Sequence, residues 1–489
     1  MKSQGYHPFI SEGVEFMKSS QEQPRQIVTD LFGRLDRLAW GKVHTVVLIA
    51  LGIGWALDGF EVTIVGPMLS FLAKYFHMTV QQAADVGSVF LLGAFAGALI
   101  FSVLADRLGR KRLFLVTILL YGLATLATAF STGYISLLIF RFLTGFGIGG
   151  EYGAVNAAID EFIPARYRGR ADGAVNASWS IGSIVASLTS LVVLVSLPPA
   201  VGWRYAFLFG GVVAIFVAIV RRILPESPRW LAYHGHLDQA ETVVEKVEAS
   251  CLQSSSPLHS SVLEIGERSW WADVRQLWRR HPGRVLLAMS LNIGEAAPYY
   301  GLLMVLGLII LPANGIHGAG IPYFYLYGAV LGLVGAFGVA WAADKWGRKP
   351  SVTTGFIALV LMSLSFMWIH GSVVWLLVVF GVYSVVGQVA GTGTYIVTSE
   401  LFPTEHRALG IGLAVATGRV AALGAPLVFA ALNSAFGVQA VYWGMAGFAA
   451  FGATGMGIWS LVGKEGRGVS LEDMVARPAF RRPQSEVVE

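Results

Sequence analysis

The chain has 489 residues, of which 55% are hydrophobic and 13% charged, and its net charge is +5. Soluble domains carry about 25% charged residues, so a water-soluble globular protein is excluded. The single cysteine, Cys251, excludes an intramolecular disulfide.

Residues 1–42 are polar and lack the short apolar core and cleavage site of a secretory signal, so the first apolar span is expected to act as its own targeting element. Twelve apolar segments then follow, near 44–66, 86–105, 113–130, 134–157, 174–197, 205–223, 285–311, 321–343, 351–370, 373–397, 408–431 and 438–461. About 20 helical residues cross a bilayer core of about 30 Å. The segments lack the period-2 alternation of barrel strands, and backbone polar groups cannot stay unpaired in lipid, which leaves helices. The predicted fold class is therefore all-α, a polytopic membrane protein of twelve transmembrane helices. The expected domains are a cytoplasmic segment 1–42, a six-helix half 43–224, an inter-half loop 225–283, a second six-helix half 284–462 and a tail 463–489.

Lys and Arg set the orientation. The even-numbered loops carry Arg107, Arg110, Lys111 and Arg112, then Arg166, Arg168 and Arg170, then Lys345, Arg348 and Lys349, while Lys74 and Arg204 alone interrupt the odd ones. The positive-inside rule places both termini and the 225–283 loop in the cytoplasm. The net positive charge thus reflects topology and calls for no nucleic acid.

In span one, Asp58 and Glu61 stand three residues apart on one helix face. Two ionised carboxylates there repel each other, so one is expected to hold a proton. Helical rise puts them about 21 and 26 Å above the inner end of span one, and Arg141 about 10 Å below the outer end of span four. All three fall in the outer half of the membrane. An acid–Arg pair there can exchange its salt bridge for a proton, and depth does not choose between Asp58 and Glu61. The alternative is a purely structural tie between spans one and four. Glu151, further along span four, is either a later proton stop or structural.

Span seven holds Glu295, about 15 Å deep, followed by Tyr299 and Tyr300, and span eleven holds Arg419, about 16 Å deep. A mid-membrane Arg needs a cavity or a partner. Its fork matches a carboxylate, so Arg419 either binds an anionic substrate or forms a structural pair with Glu295. Protonation of Glu295 would release it. Gln388 and Tyr395 in span ten join Tyr299 and Tyr300 as candidate substrate contacts by stacking or hydrogen bonding.

Three motif pairs repeat along the chain. "DRLGRKR" from Asp106 and "DKWGRKP" from Asp344 are 238 residues apart, "EFIPARYRGR" from Glu161 and "ELFPTEHRALG" from Glu400 are 239 apart, and "PESPRW" from Pro225 and "KEGRGVSLEDM" from Lys464 are also 239 apart. One period shared by three pairs indicates a duplicated six-span unit, the plan of secondary transporters. Asp106, Gly109, Arg110, Glu161 and Arg168, with their counterparts Asp344, Gly347, Arg348, Glu400 and Arg407, are expected to form gating loops whose charged hydrogen bonds break as the halves rock.

These motifs resemble those of the major facilitator superfamily, with Ser102 and Ala340 where its gating-loop signature usually has Gly. The resemblance covers all twelve spans and implies transport by alternating access, without a cofactor. "PESPRWL" and "KEGRGVSLEDM" resemble the sugar-porter branch and its relatives. Where sugar porters carry a Gln pair and an Asn ahead of a span-seven Tyr pair, this chain has Met289, Ser290 and Glu295. "PYYGLLM", "YIVTSELFPTEHRALGIG" and the Arg419 of "TGRVAALGAPLV" are more similar to the organic-ion and nicotinate carriers, and "DGFE" to the paired-acid motif of aromatic-acid proton symporters. By resemblance to sugar porters, Glu61 occupies the place of the acid that pairs with the span-four Arg, here Arg141.

"GFGIGG" from Gly145 lies inside an apolar span with no preceding strand, so it reads as close helix packing. "NAS" at Asn176 falls within span five, beyond the reach of glycosylation. His234 and His236 lack companions at metal-ligand spacing, and no phosphate-binding loop supports an ATP-driven pump. The expected function is secondary active transport, with protons, of a small organic acid of the nicotinate or aromatic-acid class. The alternatives are a sugar or polyol symporter and a non-transporting membrane sensor. The expected partners are a small-molecule substrate, protons and the lipid bilayer, with the protein acting as a monomer. The short first loop points, by analogy, to a bacterial inner membrane.

Overall fold

The computed structural model describes residues 25–222, 224–251, 261–265, 270–369, 372–402 and 407–462. A ribbon strand β1 (Arg25–Thr29) and a short helix α1 (Leu31–Asp36) lead into six long helices: α2 (Lys42–Tyr75), α3 (Val80–Leu108), α4 (Arg110–Ala129), α5 (Tyr134–Phe162), α6 (Ala165–Ser196) and α7 (Pro199–Arg221). The inter-half segment forms α8 (Pro228–Tyr233), α9 (Leu237–Ala249), β2 (Ser261–Ile265) and α10 (Trp270–Arg280). Six more long helices follow: α11 (Pro282–Val305), prolonged by a π-turn (Leu306–Ile310) and α12 (Leu311–Ala313), then α13 (Gly320–Trp346), α14 (Arg348–Ser365), α15 (Val373–Leu401), α16 (Arg407–Phe436) and α17 (Val438–Val462). Among the described residues, ten of these helices are long and apolar enough to cross a membrane by length and composition.

The duplication seen in the motifs is also a duplication of packing. In the first half α3 packs on α5, α2 on α6, and α4 on α5 and α7. The second half repeats this with α13 on α15, α11 on α16, and α14 on α15 and α17. Across the halves α3 meets α16 and α6 meets α13, two contacts that exchange under the same correspondence. This is the arrangement of a pseudo-twofold axis. Small residues bring the helices close: a Cβ on Gly145 or Gly149 of α5 would strike the carbonyl oxygens of Phe90 and Ala94 on α3. "GFGIGG" is thus a packing surface.

The first span extends beyond its expected end at residue 66. Pro67 lies inside α2, which continues to Tyr75; it removes one ladder hydrogen bond without ending the helix. The seventh span departs from α-geometry because a phenol enters its ladder. Gly307 N donates to Tyr325 Oη at 3.2 Å, and Tyr325 Oη donates to Leu303 O at 2.6 Å, so Tyr325 bridges the turn that widens at Leu306–Ile310.

Outside the membrane helices, α1, α8 and α9 share a small core of Leu31, Leu35, Leu38, Leu231, Ala240, Val244 and Val247. Arg34 clamps it, donating from Nε to Glu248 Oε1 at 3.0 Å and pairing through Nη2 with Glu248 Oε2 at 2.6 Å. The hydrogen bond from Arg34 holds the Glu248 carboxyl below its ordinary range. Strands β1 and β2 pair antiparallel, Arg25 opposite Ile265 and Thr29 opposite Ser261. This two-stranded ribbon is an addition to the all-α membrane body, joining the segment before the first span to the inter-half segment.

Candidate functional site

Between the halves lies a partly open cavity of about 90 Å³. The first half contributes Thr63 of α2 and Trp179, Ser180 and Ser183 of α6; the second contributes Tyr299 and Leu303 of α11, Tyr325 of α13, and Phe380, Tyr383, Ser384 and Gln388 of α15. Its chemistry is aromatic surface with neutral hydrogen-bonding groups. Thr63 donates to Ser183 Oγ at 2.9 Å, and Trp179 Nε1 donates to Tyr299 Oη at 3.1 Å, a bond that joins the two halves across the wall. At one end the halves close on each other: a Cβ on Gly66 of α2 would strike Leu303 O and the Tyr325 ring, and one on Gly87 of α3 would meet Met304 Sδ at 2.7 Å.

Behind the first-half wall sits a buried set of charges. Glu61 Oε2 faces Arg141 Nη1 at 3.5 Å, and both side chains are fully buried. The Arg141 guanidinium also lies 4.6 Å from the Phe90 ring centre and 5.4 Å from that of Phe207, so cation–π contacts support it. Asp58, one turn below Glu61, is equally buried, and neither carboxyl oxygen has a hydrogen-bond partner among the described residues. It lies within charge range of Glu151, Arg221, Glu61 and Arg419. Glu151 is paired: Arg221 Nη1 donates to its Oε1 at 2.9 Å, with both groups buried. α2 packs this closely on α6 because residue 182 has no side chain; a Cβ there would strike the Ala56 carbonyl.

In the second half Arg419 is buried, donates to Tyr300 Oη and lies 5.1 Å from the centre of that ring. Its charge reaches Glu295, with no hydrogen-bonded ion pair between the two among the described residues. Of the expected substrate contacts, Tyr299 and Gln388 line the cavity; Glu295, Tyr300, Tyr395 and Arg419 are not among its lining residues. Tyr299 and Tyr300 stack edge to face with centroids 5.2 Å apart, so Arg419 is linked to the wall through this aromatic pair.

The gating loops place both turn glycines alike, Gly109 at φ +84° and Gly347 at φ +98°. Each lets one long helix reverse directly into the next, a backbone that favours glycine. Arg110 Nε approaches Glu161 Oε1 at 3.5 Å. The Glu226 carboxylate of "PESPRW" accepts from the backbone N–H groups of Arg110 at 2.8 Å and Lys111 at 3.1 Å, capping α4. The side chains of Asp106, Arg168, Asp344, Arg348, Glu400 and Arg407, and the tail from Lys464, lie outside the described residues.

Sequence reasoning passed over Arg221, Glu226 and the α6 wall. Arg221 reads in sequence as an ordinary basic anchor at the end of span six. The α6 wall did carry a signal, because Ser180, Ser183, Ser187 and Ser190 recur at helical spacing in an apolar span.

Comparison with known proteins agrees with this geometry. The family model described as "Sugar (and other) transporter" matches residues 46–474. The "Niacin transporter NiaP" of Acinetobacter baylyi is 31% identical over 404 residues, covering 82% of this chain and 89% of that protein. The "Inner membrane metabolite transport protein YgcS" of Escherichia coli is 26% identical over 394 residues, covering 80% and 85%. Among solved structures, the inward open conformation of the xylose transporter XylE from E. coli superposes with a TM-score of 0.69 at 18% identity, covering 88% of this chain and 99% of that one.

Proposed function

Starting from the fact that the chain belongs to the sugar (and other) transporter family of major facilitators, and is thus a multi-pass membrane transporter, we propose that it carries a small aromatic organic acid of the nicotinate class together with protons. The observation that carries this reading is the pairing of two features. One is an aromatic, hydroxyl-lined cavity between the halves; the other is the buried Asp58, whose carboxyl oxygens have no hydrogen-bond partner among the described residues, beside the Glu61–Arg141 pair.

A planar ring fits against Trp179, Tyr299 and Phe380, while Ser180, Ser183, Ser384 and Gln388 offer neutral donors and acceptors to a ring nitrogen or carboxylate oxygen. Arg419 supplies the attraction for the anion from behind Tyr299 and Tyr300. Protonation of Asp58 removes a negative charge that competes for Arg419, so proton and substrate anion enter as a neutral pair. Glu61–Arg141 responds to the same change, and Glu151–Arg221 offers the next buried carboxylate. The units that rock are residues 43–224 and 284–462. With contact at the Gly66–Leu303 end, the cavity in this reading faces the opposite, cytoplasmic side of a bacterial inner membrane. The named niacin relative, at 31% identity, supports the substrate class.

The test is uptake of labelled nicotinate, benzoate and glucose into proteoliposomes, with and without an inward proton gradient, for wild type and Arg419→Ala. Gradient-stimulated acid uptake that is lost in the variant is the expected result. Glucose uptake that survives Arg419→Ala would make Arg419 structural and assign the protein to the sugar symporters.

A further inference from the structure

Helix α10 (Trp270–Arg280) is not used by the transport cycle described above, and its exposed face has an unusual composition. Trp271 is 75% exposed and Trp278 37% exposed, and Arg275 and Arg279 are exposed beside them. Positions 271, 275, 278 and 279 lie three or four residues apart and form one stripe. The one acid of the helix, Asp273, lies well round the helix from that stripe. Leu277, on another side, is fully buried in the core of the second half together with Val285 and Leu287 of α11.

α10 is therefore anchored at a defined level. His281 N donates to Leu277 O at 2.9 Å, and α11 begins at Pro282, so the helix abuts the point where the polypeptide enters the membrane. It also touches α16. The same end of the bundle carries Trp346, 61% exposed at the end of α13, preceded by the exposed Lys345. Trp368 and Trp375, exposed by 69% and 63%, mark the other end of the second half. Tryptophans at the two ends of a helical bundle belong to the headgroup level of a bilayer, where an indole has one apolar and one wet side.

A face that is large, aromatic and cationic is poorly matched to water and well matched to phosphate headgroups over acyl chains. The guanidinium fork pairs with phosphate oxygens while the indoles enter the glycerol level. The geometry points to α10 as a docking face for the anionic headgroup layer of the leaflet that α11 enters. Trp271 and Trp278 are its wedges and Arg275 and Arg279 its headgroup contacts. The docking holds the inter-half segment against the bilayer at the base of the second half.

The experiment places a probe next to the stripe. In the full chain, Cys251→Ser with Ala272→Cys is labelled with an environment-sensitive fluorophore and reconstituted in phosphatidylcholine nanodiscs with and without phosphatidylglycerol, some of them carrying headgroup-depth nitroxide lipid. The expected result is a blue shift and nitroxide quenching that increase with phosphatidylglycerol, with that increase lost when Arg275→Gln and Arg279→Gln are added. Because these arginines are exposed, folding is retained, which an unchanged size-exclusion profile verifies. A probe that remains water-exposed in both nanodiscs would overturn the assignment. Quenching indifferent to phosphatidylglycerol or to the two arginines would equally overturn the anionic-headgroup role, and neither result bears on substrate transport.

Discussion

Replacing either partner of the Glu61–Arg141 pair should be more damaging than replacing both. At the observed 3.5 Å, two unit charges attract by about 5 kcal/mol at an effective dielectric near 20. Removing one partner from a buried pair leaves a charge without compensation, at about 3–5 kcal/mol of stability. The two single variants should also differ. In Glu61→Gln, Arg141 keeps the faces of Phe90 and Phe207, a contribution of about 1–2 kcal/mol when desolvated. In Arg141→Gln, Glu61 has no such aromatic support, and its carboxyl oxygens have no other hydrogen-bond partner among the described residues. Arg141→Gln should therefore be the worse of the two, and Glu61→Gln/Arg141→Gln the mildest. The double-mutant cycle, read by unfolding of the purified protein in detergent, should give a coupling of about 2–3 kcal/mol. Losses that simply add in the double variant would refute the reasoning, because they would mean the two charges do not stabilise each other.

Other consequences follow from single contacts. Gly182→Ala places a methyl group against the Ala56 backbone and should lower stability by about 1–3 kcal/mol, measured by thermal unfolding; an unchanged midpoint would show that α2 and α6 can separate freely. Gly109→Ala and Gly347→Ala each force a positive φ on a residue with a Cβ, and should each lose about 1–2 kcal/mol, seen as reduced yield of folded protein. Tyr299→Phe removes the acceptor of the Trp179 bond and should weaken substrate binding by a few-fold, in line with about 0.5–1.5 kcal/mol for one hydrogen bond, measured by isothermal titration. The Arg34–Glu248 clamp makes the α1–α8–α9 cluster pH-sensitive. Glu248 is lowered in the folded state from an ordinary value of 4.5, so its contribution is complete above that value and is lost as pH falls through the lowered one. The hydrogen-exchange protection of residues 237–249, taken relative to the intrinsic rate at each pH, should fall on acidification in wild type and lose that dependence in Glu248→Gln.

The fold was legible because lipid leaves so few choices. Spans of about 20 apolar residues, basic loops and a period of 239 residues fix helices, halves and pairing, and the contacts of α3 with α16 and α6 with α13 complete the duplication. Isolated charges in apolar spans were legible for the same reason, and Glu61 with Arg141 is the clearest case. Partners that sit at helix ends were not. Arg221 looks like an anchor until α7 brings it against Glu151, and Glu226 looks like a loop acid until it caps α4. Depth along a helix also gives no azimuth. Arg419 has the mid-membrane level expected of a substrate contact, yet it stands behind Tyr300 instead of on the cavity wall. The ribbon of β1 and β2 was invisible because two five-residue strands, with Thr29 and Ser261 232 positions apart, carry no local sign of pairing.

The proposal depends most directly on proton movement. Proteoliposomes holding a trapped pH indicator, given labelled nicotinate from outside without an imposed gradient, report both fluxes at once. Nicotinate entry accompanied by acidification of the vesicle lumen, with both signals absent in Asp58→Asn, is the predicted result. Nicotinate entry with no proton movement, or with an undiminished proton signal in Asp58→Asn, would contradict the coupling assigned to Asp58.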